Sequence, residues 1–327
     1  MSAVTTNSRM QPGDVPILTH QALIYGTDED FLAATVPFCL DGLAQDDAVL
    51  AVTTPRNIDL LRQQLGDAAG HVEFVRSDQW YDAPGRTLAA YHRYVGQRTG
   101  DTGRHRQVRV IGEPVWHGRD ALETAEWTRY EAVINVAFAD CPAWIVCPYD
   151  TRTLPSPLVA DARRTHPEMV TGPAAEPSPH YADPKQDGFW ERELAPASRD
   201  TQEHGMRFDA DLTPVRAFVA ASATSLGMSQ SAADRLVFAA NEVATNAVQH
   251  GGGSGHLALW RSAGRIVCDI TDARPGATDW FLGYLPPDPG QRHGHGLWAV
   301  RQLCDLMEVR PQHSGMGTTV RLHLNLT

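Results

Sequence analysis

The chain has 327 residues, 42% of them hydrophobic, which is enough to bury the cores of two domains. Its net charge of −11, from 39 acidic and 28 basic residues, argues against non-specific nucleic-acid binding and against an anionic membrane surface, since both need a basic patch. No apolar run nears the ~20 residues that span a bilayer, and MSAVTTNSRMQPGDVP lacks a signal-peptide core, so a cytoplasmic protein is expected.

Lys185 is the sole lysine, so no phosphate-binding loop lysine and no Schiff-base lysine is expected in either domain. The five cysteines (Cys39, Cys141, Cys147, Cys268, Cys304) show no CxxC spacing and mostly lie in apolar runs. They read as buried free thiols rather than a zinc site or a disulfide.

Residues 1–17 are polar and irregular, which predicts a disordered arm. From 18 to 166 short apolar runs alternate with helical patterns. HQALIY, DAVLAVTT, HVEFVRS, RQVRVIGEP and AWIVCPYD read as strands, with helices between them. This alternation predicts an α/β domain with a mostly parallel sheet covered on both faces.

Ligands of such sheets bind at the carboxyl ends of the strands, where Tyr25, Trp80, Glu113, Trp116, Tyr149 and Asp150 fall. These side chains either line a pocket with an apolar floor and a few polar contacts or simply cap the sheet and neighbouring helices. Residues 167–205 are proline-rich with little periodicity, and read as an extended linker in which Phe189 and Trp190 could dock on one domain.

From 206 to 327 the pattern changes to α+β. MRFDAD is a strand, residues from Thr213 to Gly227 hold a helix, and HLALWRS and RIVCDITD are strands joined by an Ala-Gly turn. A helix over Leu297–Met307 and a last strand over Gly317–Leu326 complete the reading. The stretch SAADRLVFAANEVATNAVQHGGG is an amphipathic helix running into a glycine turn. Leu236, Ala240, Val243 and Ala247 face a core, and Glu242, Asn246 and His250 form a stripe beside it. His250 reads as a structural histidine.

Four features follow in order: this helix with Glu242 and Asn246, a strand ending at Asp272, the glycine turn RHGHG opening a helix, and Gly-Thr-Thr before the last strand. Together they resemble the GHKL ATPase family, which includes histidine kinases and gyrase B, and within it the anti-sigma-factor serine kinases. The resemblance implies that Asn246 is the ligand of Mg²⁺ and Glu242 the general base. It implies that Asp272 and Gly276 recognise adenine, and that Arg292, Gly294, His295, Gly296 and Leu297 receive the phosphates at a helix N-terminus. Thr318 and Thr319 would close the site, and ATP is the implied cofactor. Where the family usually has Asp-x-Gly-x-Gly this chain has Asp-Ala-Arg-Pro-Gly, with Arg274 in place of the first glycine. The segment from Gly276 to Gly294 is long enough for a lid, with Trp280, Phe281 and Tyr284 able to fold over a nucleotide or dock a partner.

His20–Tyr25, Val110–Trp116, Arg129–Asn135 and Cys147–Asp150 resemble the MEDS domain, a sensory domain of methanogen and methylotroph regulators related to RecA-like ATPases. That resemblance implies recognition of a small, apolar ligand and makes Glu113 the counterpart of an acid on a metal-binding strand. No GxxxxGK[ST] is present, so hydrolysis by this half is not expected.

His166, His180 and His204, which precede the C-terminal domain, lack the helical phospho-acceptor setting of histidine kinases. The combined expectation is a sensor controlling an anti-sigma module. That module phosphorylates Ser or Thr of a STAS-type antagonist, sequesters a sigma factor, or both. The alternatives are a nucleotide-binding switch without kinase activity and an atypical histidine kinase. Homodimerisation is open.

Overall fold

The computed structural model describes residues 17–326 except 101–102, 186–193, 196–202, 273, 275–280, 288–294 and 312–316. The expected disordered arm thus lies almost wholly outside the described residues, as do Phe189, Trp190, Gly276, Trp280, Arg292 and Gly294.

The N-terminal half runs β1 (Thr19–Tyr25), α1 (Asp28–Ala44), β2 (Ala48–Thr53), α2 (Pro55–Leu65), β3 (Glu73–Arg76), α3 (Ser77–Trp80) and α4 (Pro84–Thr99). It continues with β4 (Val108–Gly112), α5 (Ala121–Ala137), β5 (Ala143–Asp150), α6 (Ser156–Thr165), β6 (Glu168–Thr171) and β7 (Ala174–Pro177). The strands form one sheet in the order β3-β2-β4-β5-β1-β6-β7, parallel throughout except for β7. β2 and β4 are buried along their whole length, as expected of strands with helices on both faces.

Local chemistry sets the helix starts. Thr27 and Asp30 form a capping box on α1, Thr54 caps α2 ahead of Pro55, and Asp120 and Glu123 form a second box on α5. One apolar core packs under α1 and α2 around Phe31, Leu61 and Ile111. The other packs under α4 and α5 around Leu88, Trp127 and Ile145.

The proline-rich stretch departs from an extended linker at its start. Met169 and Val170 add β6 to the exposed edge of β1, Gly172 turns the chain at φ +56°, and β7 returns as the outermost strand. Its prolines are tolerated because the outer edge of β7 needs no donors.

The C-terminal half comprises β8 (His204–Phe208), α7 (Thr213–Ser225), α8 (Gln230–His250), β9 (Gly255–Ser262), β10 (Arg265–Asp272), α9 (His295–Leu303), β11 (Leu306–Pro311) and β12 (Thr318–Asn325). Its sheet is antiparallel, ordered β11-β12-β10-β9-β8, with the three helices packed on a core that includes Leu236, Val243, Ile270 and Leu322. The helix expected over Leu297–Met307 ends at Leu303, and the residues beyond it form β11. Met307 and Val309 alternate into the core while Glu308 and Arg310 point the other way, a period of two that a short apolar run conceals.

Candidate functional site

Ser229 caps α8, and its 21 residues carry Glu242 and Asn246 one turn apart, both half-buried beside the core positions Val243 and Ala247. The first turn of α9 lies directly against Glu242. A Cβ placed on Gly296 would stand 2.8 Å from Glu242 Oε2, so only glycine fits there without displacing the carboxylate. His295 is exposed and Leu297 packs on the core, so α9 presents its N-terminal end beside Glu242.

Asp272 is the last residue of β10 and is fixed from two sides. The Thr318 amide donates to Asp272 Oδ1 at 2.8 Å, and the Thr271 and Thr319 hydroxyls meet at 2.9 Å beneath it. Gly251, just past α8, approaches so closely that a Cβ would lie 2.5 Å from the Asp272 Cβ. The turn after α8 is thereby pinned to the end of β10, which brings the Asn246 and Asp272 neighbourhoods together.

Arg274 has a definite partner. Its Nη1 donates to the His250 carbonyl at 3.1 Å, placing a cation on the carbonyl end of α8, where the helix dipole favours it. An open groove of about 830 Å³ also reaches Asp272, from the side of Phe208, Asp211 and His256. Glu242 and Asn246 do not line it, and the α8, α9 and β10 ends remain the chemically coherent site.

The two halves meet at this site. Phe281 and Tyr284 pack into the apolar cluster of the N-terminal domain, and Tyr284 is only 2% exposed. The Arg301 guanidinium lies 3.5 Å from the Tyr284 ring centroid and donates to the Leu282 and Met307 carbonyls at 2.8 and 2.9 Å. At the start of α4, a Cβ on Gly85 would stand 2.4 Å from the Arg301 carbonyl oxygen, and the Gly85 carbonyl accepts from Gln302 at 3.0 Å. Arg86 reaches Asp305 at 2.7 Å, and Arg265 reaches the α5 capping box at Asp120, 2.7 Å away, and Glu123, 3.2 Å away. Phe281 and Tyr284, expected to fold over a nucleotide or dock a partner, pack instead on the other domain of the same chain. Sequence reading missed Gly85 and Arg301, because nothing local distinguishes a glycine or an arginine that meets the other domain.

The six rim residues of the first domain do not gather in one cavity among the described residues. Tyr25 and Glu113 belong to a buried network on the α1 and α2 side. There the Tyr25 hydroxyl donates to Glu113 Oε1 at 3.4 Å, and Asn57 donates to Glu113 Oε2 at 2.9 Å and to the Tyr25 hydroxyl at 3.1 Å. Thr53 also donates to Glu113. Burial pushes the Glu113 carboxyl above its ordinary range against these donors. Asp150 is taken up by Arg152, at 2.8 Å. Trp80, Trp116 and Tyr149 lie on the opposite, α4 and α5 side. There the indole nitrogens of Trp80 and Trp116 and the Tyr130 hydroxyl are buried without an acceptor. Alternation along β5 sends Tyr149 and Asp150 to opposite faces of the sheet, whereas Trp80, on α3, and Trp116, after β4, are placed by their own segments.

A family model described as the methanogen/methylotroph, DcmR sensory domain (MEDS) matches residues 19–167, and one described as a histidine kinase-like ATPase domain matches residues 208–324. Comparison with curated proteins gives no match. No helix among the described residues is long and apolar enough to cross a membrane. The second family implies ATP binding, and the residues fit such a ligand. They offer a neutral carbonyl oxygen at Asn246, a carboxylate oriented by one of its two oxygens at Asp272, and two glycine contacts that any Cβ would fill. The chain is thus a MEDS sensory domain joined to a histidine kinase-like ATPase domain of the GHKL type.

Proposed function

We propose that the protein is a cytoplasmic sensor-regulator in which the MEDS domain controls an anti-sigma kinase-type module. That module phosphorylates Ser or Thr on a STAS-type antagonist, sequesters a sigma factor, or both. The observation that carries this reading is the direct packing of α4, from the sensory domain, on α9, whose first turn touches Glu242. A shift of the sensory helices therefore reaches the phosphate end of the nucleotide site without an intervening element.

Bound Mg-ATP supplies the phosphoryl group. Asn246 would hold the metal through its carbonyl oxygen, Asp272 would orient the adenine, and Glu242 would take the proton from the attacking hydroxyl. Three features support transfer to another protein rather than to a histidine of this chain. His166 is fully buried, His180 sits in a turn, and His204 opens β8. In the sensory domain, the unpaired indole and phenol donors on the α4 and α5 side suit a small ligand with an apolar body and one or two acceptors.

Incubation with γ-labelled ATP and candidate STAS antagonists tests the reading. Label on antagonist Ser or Thr, lost in Glu242→Gln, is expected. Label on the chain's own histidine overturns it. The Arg274 contact with His250, which replaces a glycine of the usual loop, favours one other reading, a switch that binds nucleotide without transfer. Nucleotide-dependent antagonist binding with no label would establish that alternative.

A further inference from the structure

Beneath the sensory sheet, β1, α5, β5 and the residue after α6 bring together His20, Glu131, Cys147 and His166, all buried. One donor atom from each lies within 4.8 Å of all the others. His20 Nε2 is 3.4 Å from Cys147 Sγ and 3.6 Å from Glu131 Oε2, and His166 Nε2 is 3.5 Å from the same oxygen. Ligands held at metal distances around a tetrahedral ion are separated by about 3.3–3.8 Å, whereas hydrogen-bonded nitrogen and oxygen sit at roughly 2.7–3.2 Å. The spacing is that of a ligand shell.

The outward nitrogens of both imidazoles are already committed. His20 Nδ1 faces Asn135 Oδ1 at 3.0 Å, and the Asn135 amide orientation is set because its nitrogen donates to the Thr165 carbonyl at 2.7 Å. His166 Nδ1 faces the Ala162 carbonyl at 2.8 Å and the Thr165 hydroxyl at 2.9 Å, whose own proton goes to the Asp161 carbonyl at 3.1 Å, so the hydroxyl accepts from the ring. All these partners are acceptors, so each ring carries its proton on Nδ1 and turns the Nε2 lone pair inward. This is the outer-shell arrangement that prepares histidines to bind metal.

Two lone pairs and a carboxylate then converge with only the Cys147 thiol proton to share. Both Glu131 oxygens and His166 Nε2 are left without a hydrogen bond, a costly state for buried groups. A positive charge at the centre resolves the conflict. Protonating both rings instead would place two cations at a centroid separation of 4.1 Å around one carboxylate.

We propose that His20, Glu131, Cys147 and His166 form a tetrahedral site for one divalent transition-metal ion, zinc by the balance of donors. Two imidazoles, a thiolate and a carboxylate suit zinc and disfavour magnesium and calcium, which take oxygen ligands. Binding displaces the thiol proton to solvent. The ion with one thiolate and one carboxylate is then neutral overall, as an apolar core requires. The site revises the reading of Cys147 as an inert buried thiol, and it stands whether or not the ATPase domain transfers phosphate.

The test uses the full chain. Elemental analysis of the purified protein and zinc-edge X-ray absorption are expected to give one zinc per chain with one sulfur and three nitrogen or oxygen neighbours. After chelation, cobalt(II) is expected to restore tetrahedral visible bands with a thiolate charge-transfer band. That band disappears in Cys147→Ser and persists in Cys268→Ser, and Glu131→Gln weakens cobalt binding at least about tenfold. A folded chelated chain that takes up no cobalt overturns the site, as does a charge-transfer band that survives Cys147→Ser. If the variants do not fold, the wild-type absorption data decide, and a first shell without sulfur refutes the proposal.

Discussion

At the scale of single side chains, the roles proposed for the C-terminal site can be separated. In the proposed mechanism Asn246 is the metal ligand and Glu242 the base, so their loss has separable effects. Asn246→Ala is expected to abolish the thermal shift on adding Mg-ATP, worth ~2.7 kcal/mol at about 100 times the dissociation constant. Glu242→Gln keeps the shift and loses transfer, and calorimetry beside a phosphotransfer assay separates the two. In the sensory domain, His92 stacks on Phe138 at a centroid distance of 4.0 Å, and burial lowers its pKa from 6.5 to about 4. The folded ring is neutral in this window while the unfolded one binds a proton below 6.5. His92 therefore lowers stability as pH falls from 6.5 towards 4 and contributes no slope at higher pH. The loss is at most ~3 kcal/mol before solvent screening of this half-buried ring reduces it. Urea midpoints at neutral pH and at about pH 5 are expected to differ less in His92→Phe than in wild type.

At the scale of elements, the contact of α4 with α9 depends on a glycine. Gly85→Ala puts a methyl 2.4 Å from the Arg301 carbonyl, and the overlap is expected to cost ~1–3 kcal/mol by separating the two helices. Tyr284→Ala removes an aromatic plug from the sensory core and the ring under Arg301, a loss of about 3 kcal/mol or more. Differential scanning calorimetry should resolve two unfolding transitions in the double variant where wild type has one. A single unshifted transition would remove the interface from any coupling account.

Over the whole molecule, the coupling must be reciprocal. If the sensory domain changes nucleotide affinity, nucleotide must change the sensory domain by the same free energy. Hydrogen exchange with and without Mg-ATP is therefore expected to slow amides at the start of α4 and in α5, as well as in α8 and α9. Protection confined to the C-terminal domain would leave the two domains as neighbours without communication. The α5 helix is the element to watch. It carries Glu123, which holds Arg265 at 3.2 Å, and Glu126, which lies 3.7 Å from Arg310, on the same rod as Glu131.

Much of this architecture was legible in the chain itself, because periodicity is local. Alternating apolar runs marked the parallel sheet, and the order of Glu242, Asn246, Asp272 and the Gly-Thr-Thr turn marked the ATPase domain, whereas the caps Thr27, Thr54 and Asp120 were identified only in the structure. Where two periods fit one short run, as in Leu306–Pro311, the sequence was ambiguous, and the partner strand β12 settled it. Convergence between distant segments was not legible at all. His20, Glu131, Cys147 and His166 come from four separate elements, and the six rim residues part to opposite faces of the sheet. Sequence determined the elements because side-chain spacing and backbone capping act within a turn or two. Tertiary structure alone decided which buried polar groups meet, because that depends on strand order, on pleat, and on how closely a residue such as Gly85 lets two domains approach.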